Sequence, residues 1–169
     1  AIMTTSSTVI ADNPSMTCRL GNGKKLTKII LDRTLKTDLN SKIYSSTGEK
    51  IYIVTDEKIS DEKIKNFPQN IQIIKVSVKN NKLNLTELLE KLFDLGIMSV
   101  LVEAGGTLNG ELVSLDLVDK IYQFIAPKIL SDKTAINSYE GSVKNKIDEA
   151  KIFEIEKTEL FLPDILIVM

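Results

Sequence analysis

The chain has 169 residues, 43% of them hydrophobic and 27% charged, which is ordinary for a globular protein and enough to bury one good core. Its 22 basic and 23 acidic side chains give a net charge of -1, which excludes a global field directed at nucleic acid or membrane. Because there is no histidine and a single cysteine, the sequence also excludes a histidine general base, Ser-His-Asp and Cys-His nucleophile systems, histidine-containing or multi-thiolate metal sites, and an internal disulfide.

Cysteine usage and apolar run length bear on the compartment. Cys18 is the lone cysteine, and a chain without an internal disulfide fits a reducing environment. The apolar runs are too short to span a bilayer, and no basic leader precedes a long apolar segment. We therefore expect a soluble, cytoplasmic protein. The sequence opens on the apolar run Ala1-Ile2-Met3, so we expect it to begin inside a domain, with part of the fold absent.

The first half of the chain alternates short apolar strands with helices. The predicted strands are Ala1–Thr5, Lys28–Asp32, Ile51–Val54 and Ile71–Val78. The predicted helices are Ser6–Ala11, Ser60–Asn66 and Asn84–Leu95. In the last helix the apolar residues recur at helical spacing, and we interpret them as core packing: Leu85, Leu88, Leu89, Leu92 and Phe93.

The most informative stretch begins at Met98. Met98–Val102 is predicted as a buried parallel strand, followed by Glu103, the pair Gly105-Gly106 and an apolar helix that Thr107 opens and that runs over Leu108–Leu117. Glycines at such a turn let a ligand approach the backbone, and free N–H groups at a helix start favour an anion. The alternative is an ordinary strand-to-helix turn in which the glycines serve only tight packing.

The C-terminal part is predicted to be rich in strands. Val118–Ala126 is β-rich, and Lys151–Leu162 with Asp164–Val168 is predicted as a closing hairpin joined near Pro163. No repeat or linker is visible, so the sequence predicts one domain over residues 1–169. Strands separated by helices and finishing with sequential strands predict an α/β fold with a mostly parallel sheet and an antiparallel C-terminal hairpin.

Polar residues follow the predicted parallel strands, where open α/β sheets bind ligands. They are Thr5, Ser6, Ser7, Thr8, Asp12, Asp32, Thr55, Asp56, Glu103, Gly105, Gly106 and Thr107. Thr8 and Asp32 also have plain structural roles as a helix cap and a turn cap, and Asp12 as a turn residue. Glu103 favours a functional role because a carboxylate ending a buried strand needs a partner. These side chains alone predict no more than a site for a nucleotide or a phosphosugar. Arg19 is then either a phosphate ligand or a surface cation.

Five segments in order carry a family resemblance. They are Ala1-Ile2-Met3-Thr4-Thr5-Ser6-Ser7-Thr8-Val9-Ile10-Ala11-Asp12-Asn13-Pro14 with Met16-Thr17-Cys18-Arg19, then Ile30-Leu31-Asp32, Val102-Glu103-Ala104-Gly105-Gly106-Thr107-Leu108, Leu117-Val118-Asp119 and Ile125-Ala126-Pro127-Lys128. Together they resemble the reductase domain of the bifunctional riboflavin-biosynthesis deaminase/reductase over roughly three quarters of the chain.

The resemblance implies a fold, a cofactor and a reaction. The fold is a three-layer, dihydrofolate-reductase-like α/β fold that binds NADPH. The reaction reduces 5-amino-6-(5-phosphoribosylamino)uracil to 5-amino-6-(5-phosphoribitylamino)uracil by hydride transfer to C1 of the ribose, which opens the ring. Since the cofactor brings the hydride and the protein positions the reactants, the missing histidine and nucleophile agree with this chemistry.

The resemblance also assigns residues. The implied cofactor-binding positions are Thr8, Asp12, Gly105, Gly106, Thr107, Leu108, Asn109, Gly110 and Glu111. The implied substrate positions are Met16, Arg19 and Glu103, with Glu103 near the reacting ribose as the catalytic candidate and Arg19 the partner of phosphate or ribose. Asp32 falls on a strand-end aspartate of the family, with no role assigned.

Two departures from the family pattern limit these expectations. The first strand and helix of the family's reductase domain, with a Lys-x-Ala-x-[Ser/Thr]-x-Asp-Gly segment, have no counterpart, and neither does the preceding zinc deaminase domain. We expect that deaminase domain on the full-length chain, a phosphoribosylaminopyrimidine substrate, a homo-oligomer, and neither nucleic acid nor membrane as partner. The alternative is a truncated, catalytically silent nucleotide-binding or dimerisation module.

Overall fold

The computed structural model describes residues 1–18, 25–45, 49–65, 67–141 and 147–169. The chain divides into two compact parts, Ala1–Ala104 and Gly105–Met169. The single domain over residues 1–169 stays a prediction. Across the described residues, no helix is long and apolar enough to cross a membrane.

The first part is built around a parallel sheet. In chain order its elements are β1 (Ile2–Thr5), α1 (Ser6–Asp12), β2 (Lys28–Leu31), a 3-10 turn (Lys42–Tyr44), β3 (Ile51–Asp56), α2 (Asp61–Ile64), β4 (Ile71–Val76), β5 (Val78–Lys79), β6 (Lys82–Leu83), α3 (Leu85–Asp94) and β7 (Leu101–Val102). Five strands form one sheet in the order β4-β3-β2-β1-β7, and every pairing in it is parallel. The predicted mostly parallel sheet is confirmed.

Buried isoleucines explain why the central strands form. Ile29, Ile30, Ile51 and Ile53 are all at most 1% exposed. Successive strand residues point to opposite faces, so an uninterrupted buried run requires that both faces of the sheet be covered. On one face the apolar cluster is completed by Val9, Ile43, Tyr44 and Ile71. This core fixes the strand ends that carry the candidate site.

Side-chain caps set the starts of α1 and α3. The Thr5 side chain accepts a hydrogen bond from the Thr8 backbone N–H at the start of α1, and Asn84 caps α3 in the same way. Gly96, with φ of +79°, lies just beyond α3. Leu85, Leu88 and Leu92 are buried, which confirms the predicted core stripe, whereas Phe93 is 62% exposed and was wrongly included in it.

The second part combines one helix with an antiparallel sheet. Its elements are α4 (Gly106–Ser114), β8 (Tyr122–Ile125), a 3-10 turn (Ile147–Glu149), β9 (Lys157–Phe161) and β10 (Asp164–Val168). The sheet has the order β8-β10-β9, so the predicted closing hairpin is confirmed. The hairpin takes up β8 as a third strand, and these strands form a sheet of their own.

The strand before Glu103 differs from its prediction. Met98–Val102 was expected to be a buried strand, but β7 has two residues, and Leu101 and Met98 are 58% and 76% exposed. The strand is parallel to β1, as predicted. Because β7 pairs on one side only within the described residues, its other side is uncovered, and apolar composition alone did not bury it.

Candidate active site

The polar residues of the first part collect at one edge of its sheet. Because neighbouring strands are parallel, the carboxyl ends of β7, β1, β2 and β3 lie side by side. Glu103 follows β7, α1 follows β1, Asp32 follows β2, and Asp56 ends β3. This edge is where ligands bind in open α/β sheets. The prediction that these residues meet at one edge is confirmed.

Glu103 is held by its backbone and presents its side chain to solvent. Its N–H donates to the carbonyl oxygen of Met3 at 2.9 Å, one residue beyond the Met3–Val102 register pair. The side chain is exposed and accepts no hydrogen bond from the described residues. The expectation that Glu103 ends a buried strand was therefore wrong, because Leu101 of β7 is 58% exposed. What remains is an exposed carboxylate at the carboxyl edge of the sheet.

Thr8 and Asp12 both lie on α1. The Thr8 amide donates to the Thr5 hydroxyl at 3.3 Å, and the two hydroxyls are 3.2 Å apart, so Thr8 takes part in the helix cap. Thr8 is half-buried, whereas Asp12 is exposed in the last turn. The capping residue is therefore Thr5, and the structural alternative that Thr8 caps the helix was wrong, because Thr8 supplies the N–H that is capped. Contact of either residue with a cofactor stays a prediction.

The loop after α1 carries the predicted substrate residues. Met16 has a φ of +49° and packs, half-buried, against the apolar cluster of the first part. Asn13, with φ of +44°, accepts a hydrogen bond on Oδ1 from the Lys42 backbone N–H at 2.8 Å. Arg19, the predicted phosphate partner, lies outside the described residues.

Asp32 serves the turn that follows β2. It is fully buried, and its two carboxylate oxygens accept from the Lys36 N–H at 3.0 Å, the Thr37 N–H at 2.8 Å and the Thr37 hydroxyl at 2.7 Å. The Tyr44 hydroxyl is 2.7 Å from the Thr37 hydroxyl, which extends this network. Burial above all raises the pKa of Tyr44 to about 12, helped by the negative charge of Asp32 and opposed by the Thr37 hydrogen bond. Asp32 is therefore the turn cap that sequence reasoning held as an alternative.

The glycines at the start of α4 have separate purposes. Gly105 is the N-cap, no side chain caps this helix end, and a Cβ on Gly105 would meet no atom within 4 Å. A Cβ on Gly106 would lie 2.2 Å from the carbonyl oxygen of Asn137, and one on Gly110 would lie 1.6 Å from that of Glu140. Gly106 and Gly110 are thus required by close chain packing, and Gly105 leaves room for a ligand.

The other predicted cofactor residues on α4 differ in exposure. Leu108 is buried at 8% exposure, so its side chain packs inward, and Asn109 and Glu111 are half-buried. Thr107 is exposed, and its hydroxyl donates to the Glu140 carboxylate at 2.7 Å. An uncapped helix start with open space at Gly105 fits the phosphate groups of a dinucleotide. Within the described residues, no cluster of three or more acidic or cysteine side chains could hold a metal ion.

Two buried polar groups escaped sequence reasoning. Lys28 is fully buried and pairs with Glu49, although Lys28 was read only as the first residue of a strand. Thr37 and Tyr44 complete the Asp32 network, and no local motif linked them to Asp32. A lysine at the start of an otherwise apolar strand was the available signal.

The fold and the placement of the polar residues first indicate a class of protein. A parallel α/β sheet with polar residues at its carboxyl edge is typical of nucleotide- and substrate-binding α/β domains. The family described as the RibD C-terminal domain matches residues 1–161, so the chain belongs to that family. The resemblance to the riboflavin-biosynthesis reductase domain is confirmed.

Named relatives agree with this assignment. The chain is 31% identical over 168 residues to riboflavin biosynthesis protein RibD of Actinobacillus pleuropneumoniae, covering 99% of this chain and 45% of that protein. It is 30% identical over 183 residues to the 5-amino-6-(5-phosphoribosylamino)uracil reductase of Buchnera aphidicola, covering 99% of this chain and 84% of that protein. The chain thus spans a little under half the length of the RibD relatives it matches.

Solved structures share the fold. RibD of Acinetobacter baumannii matches with a TM-score of 0.82 at 21% identity, over 99% of this chain and 46% of that one. The deaminase/reductase of Thermotoga maritima matches with a TM-score of 0.79 at 21% identity, over 99% of this chain and 44% of that one. The fold is therefore that of the reductase domain in these proteins, as predicted.

Proposed function

We propose that this chain is the NADPH-dependent reductase of 5-amino-6-(5-phosphoribosylamino)uracil in riboflavin biosynthesis and yields the phosphoribitylamino product. The observation that carries the proposal is the exposed Glu103 carboxylate at the ligand-binding edge of a RibD-family fold. The Buchnera relative, of which this chain covers 84%, is named for this reaction. The reaction needs no protein nucleophile, which suits a chain that has no histidine.

The cofactor residues are assigned from the family resemblance, separately within each part of the chain. When bound, NADPH supplies the hydride. The helix start at Gly105 and Thr107 would hold its phosphates, because the α4 N–H groups there have no side-chain cap. Thr8 and Asp12 would contact it from α1. The preference for NADPH over NADH is part of the proposal and is tested by comparing kcat/KM for the two.

The substrate side is assigned to Glu103, Met16 and Arg19. The Glu103 carboxylate accepts hydrogen bonds only, so we assign it to a ribose hydroxyl of the substrate, where it orients C1 for reduction. Met16 packs against the apolar cluster and would offer its other side to the pyrimidine. Arg19 is assigned to the substrate phosphate on its sequence position.

The test is NADPH oxidation by the full chain with freshly prepared deaminated substrate. The reductase proposal expects substrate-dependent loss of NADPH absorbance, and formation of the ribitylamino compound in equal amount. NADPH binding measured by calorimetry, with no oxidation at saturating substrate, would instead support the silent nucleotide-binding module. That second candidate is favoured by one observation, the short and uncovered strand β7.

We also propose that the protein acts in the cytoplasm as a homo-oligomer. Tyr122, Phe124 and Phe161 are each about half exposed on the antiparallel sheet, and the two phenylalanine rings meet edge to face at 6.1 Å. Monomeric proteins seldom leave such aromatic groups uncovered, so a second copy of the chain is the proposed occupant. Light scattering after size exclusion tests this, and a monomeric mass would refute it. The deaminase domain is proposed as a partner on the full-length chain.

A further inference from the structure

Lys28 is a buried cation at the start of β2. Its side chain is 0% exposed, and its Nζ lies 2.7 Å from Oε2 of Glu49, whose side chain is 9% exposed. Removing an ammonium and a carboxylate from water is unfavourable, and a hydrophobic pair of similar volume often stabilises a fold equally well. The pair therefore calls for a role other than stability.

The ammonium joins two segments that are distant in sequence. It donates to the carbonyl oxygen of Ser15 at 2.6 Å and to that of Ile43 at 3.3 Å. Ser15 lies in the loop Asn13–Cys18, here called the substrate loop, and Ile43 lies in the 3-10 turn Lys42–Tyr44. The Asn13–Lys42 hydrogen bond links the same two segments a few residues away. Lys28 thus fastens the substrate loop to the core.

The backbone of the substrate loop needs such a fastening. Met16 has a φ of +49°, in the left-handed region that residues other than glycine and asparagine seldom adopt, and Asn13, with φ of +44°, ends α1 in the same region. Such conformations persist where surrounding contacts determine them. The Lys28–Ser15 hydrogen bond falls between these two residues, so it holds the segment in which the strain is concentrated.

We propose that Lys28, neutralised by Glu49, is a positioning residue that holds the substrate loop in the shape that presents Met16 to the pyrimidine substrate. The inference rests on the proposed reductase function and deepens it. Lys28 is buried beneath the loop and acts through it. Loss of the ammonium therefore affects loop order and substrate binding, whereas it leaves cofactor binding and the hydride step intact.

Cys18 offers a direct probe of loop order. It is the sole cysteine and is exposed, so a nitroxide can be attached there without other changes. In the full chain, K28M/E49Q removes both charges and leaves no unpaired carboxylate. We expect the mobile fraction of the nitroxide spectrum to rise about twofold or more. We expect KM for the pyrimidine to rise about tenfold, with kcat and KM for NADPH unchanged. K28R, which keeps a positive charge, should restore most of the loop order and most of the affinity for the pyrimidine.

A matched pair elsewhere gives the control. Lys91 donates to the carbonyl oxygen of Lys75 at 2.6 Å and pairs with Glu87 at 2.7 Å, but it lies on α3, away from the substrate loop in sequence. K91M/E87Q should leave the Cys18 spectrum and both KM values unchanged. An equal response to the two double variants would reduce Lys28 to a general stabilising role and overturn the proposal.

Further outcomes separate this inference from the proposed function. If K28M/E49Q does not fold, E49Q alone keeps the ammonium and should mobilise the loop to a smaller extent in the same direction. An unchanged Cys18 spectrum in the folded variant overturns the loop-positioning role. Absence of NADPH oxidation in the parent chain would refute the reductase function, while the nitroxide spectra still decide whether Lys28 orders the loop.

Discussion

Asp32 and Glu103 both follow parallel strands, and the structure gives them opposite environments. Asp32 is fully buried and accepts three hydrogen bonds from the turn after β2. Glu103 is exposed and accepts none from the described residues. A carboxylate whose acceptors are all used supports the backbone, and one with free acceptors can meet a ligand. These two environments lead to different predictions.

Glu103→Gln should lower kcat/KM for the pyrimidine substrate by about 100-fold, because a charged acceptor at the ribose becomes a neutral amide. The free energy of unfolding should change by less than about 0.5 kcal/mol, since the side chain is exposed. Steady-state kinetics and urea unfolding measure the two quantities. Glu90→Gln, on the exposed side of α3, is the matched control and should change neither. An unaltered kcat/KM in the Glu103 variant would remove this residue from the site.

Asp32→Asn should instead lower the free energy of unfolding by about 2 kcal/mol, because an amide cannot accept all three turn hydrogen bonds. Urea unfolding at neutral pH measures the change. Asp56→Asn is the control, since Asp56 caps a single exposed N–H of Lys58 at 2.9 Å. Equal stability of the two variants would contradict the role assigned to the Asp32 network.

Alanine substitutions at Gly110 and Gly105 should affect different properties, stability at Gly110 and cofactor binding at Gly105. Gly110→Ala places a methyl group against the Glu140 carbonyl and should lower the free energy of unfolding by about 2 kcal/mol or more. Gly105→Ala meets open space and should change it by less than about 1 kcal/mol. Calorimetric NADPH titration should show weaker binding for the folded Gly105 variant. Unchanged NADPH affinity there would argue against a cofactor phosphate at this helix start.

At the scale of elements, α3 is fastened to β4 and the following loop by a charge network. Glu87 accepts from Lys91 Nζ at 2.7 Å, and from the Ser77 hydroxyl and N–H at 2.6 and 2.9 Å. The Lys91 hydrogen bond, followed by those of Ser77, lowers the pKa of Glu87 from 4.5 to about 2. The stability that this network contributes therefore depends on pH.

The sign of that linkage gives a prediction. A carboxyl whose pKa is depressed on folding contributes stability that is fully present above pH 4.5 and is lost as pH falls towards 2. Glu87→Gln should therefore lower the urea midpoint at pH 7 and show a smaller further loss on acidification to about pH 3 than the parent chain. Glu90→Gln serves again as the control. Parallel acid profiles of the parent and the Glu87 variant would refute the assignment.

Local sequence patterns predicted whether a segment is a helix or a strand. They did not predict how deeply each segment is buried. Apolar runs predicted β1 to β4, and apolar residues at helical spacing predicted α3. The β5–β6 hairpin was not predicted, because the strand Ile71–Val78 was expected to end at the first residue of β5; its turn residues Asn80 and Asn81, with φ of +51° and +62°, are typical of a tight hairpin. The burial of β7 failed because it depends on what lies at the sheet edge, which local composition does not carry.

At the scale of the whole molecule, some residues of the candidate site could be predicted from the sequence and others could not. The carboxyl-edge set, including Glu103 and Asp32, followed from strand direction alone. The Lys28–Glu49 pair and the Asp32–Thr37–Tyr44 network join residues that no sequence motif links, so they could not be found from spacing. The substrate and the cofactor were implied by family motifs, because side-chain chemistry extended only to a nucleotide or phosphosugar ligand.

Hydride transfer to the ribose carbon defines the proposed reaction of this chain. The most direct measurement supplies NADPH deuterated at its transferable position with the deaminated pyrimidine substrate, and analyses the product by mass spectrometry and NMR. We predict the ribitylamino compound with one deuterium at C1 of the ribityl group. Bound NADPH without labelled product, at saturating substrate, would contradict it.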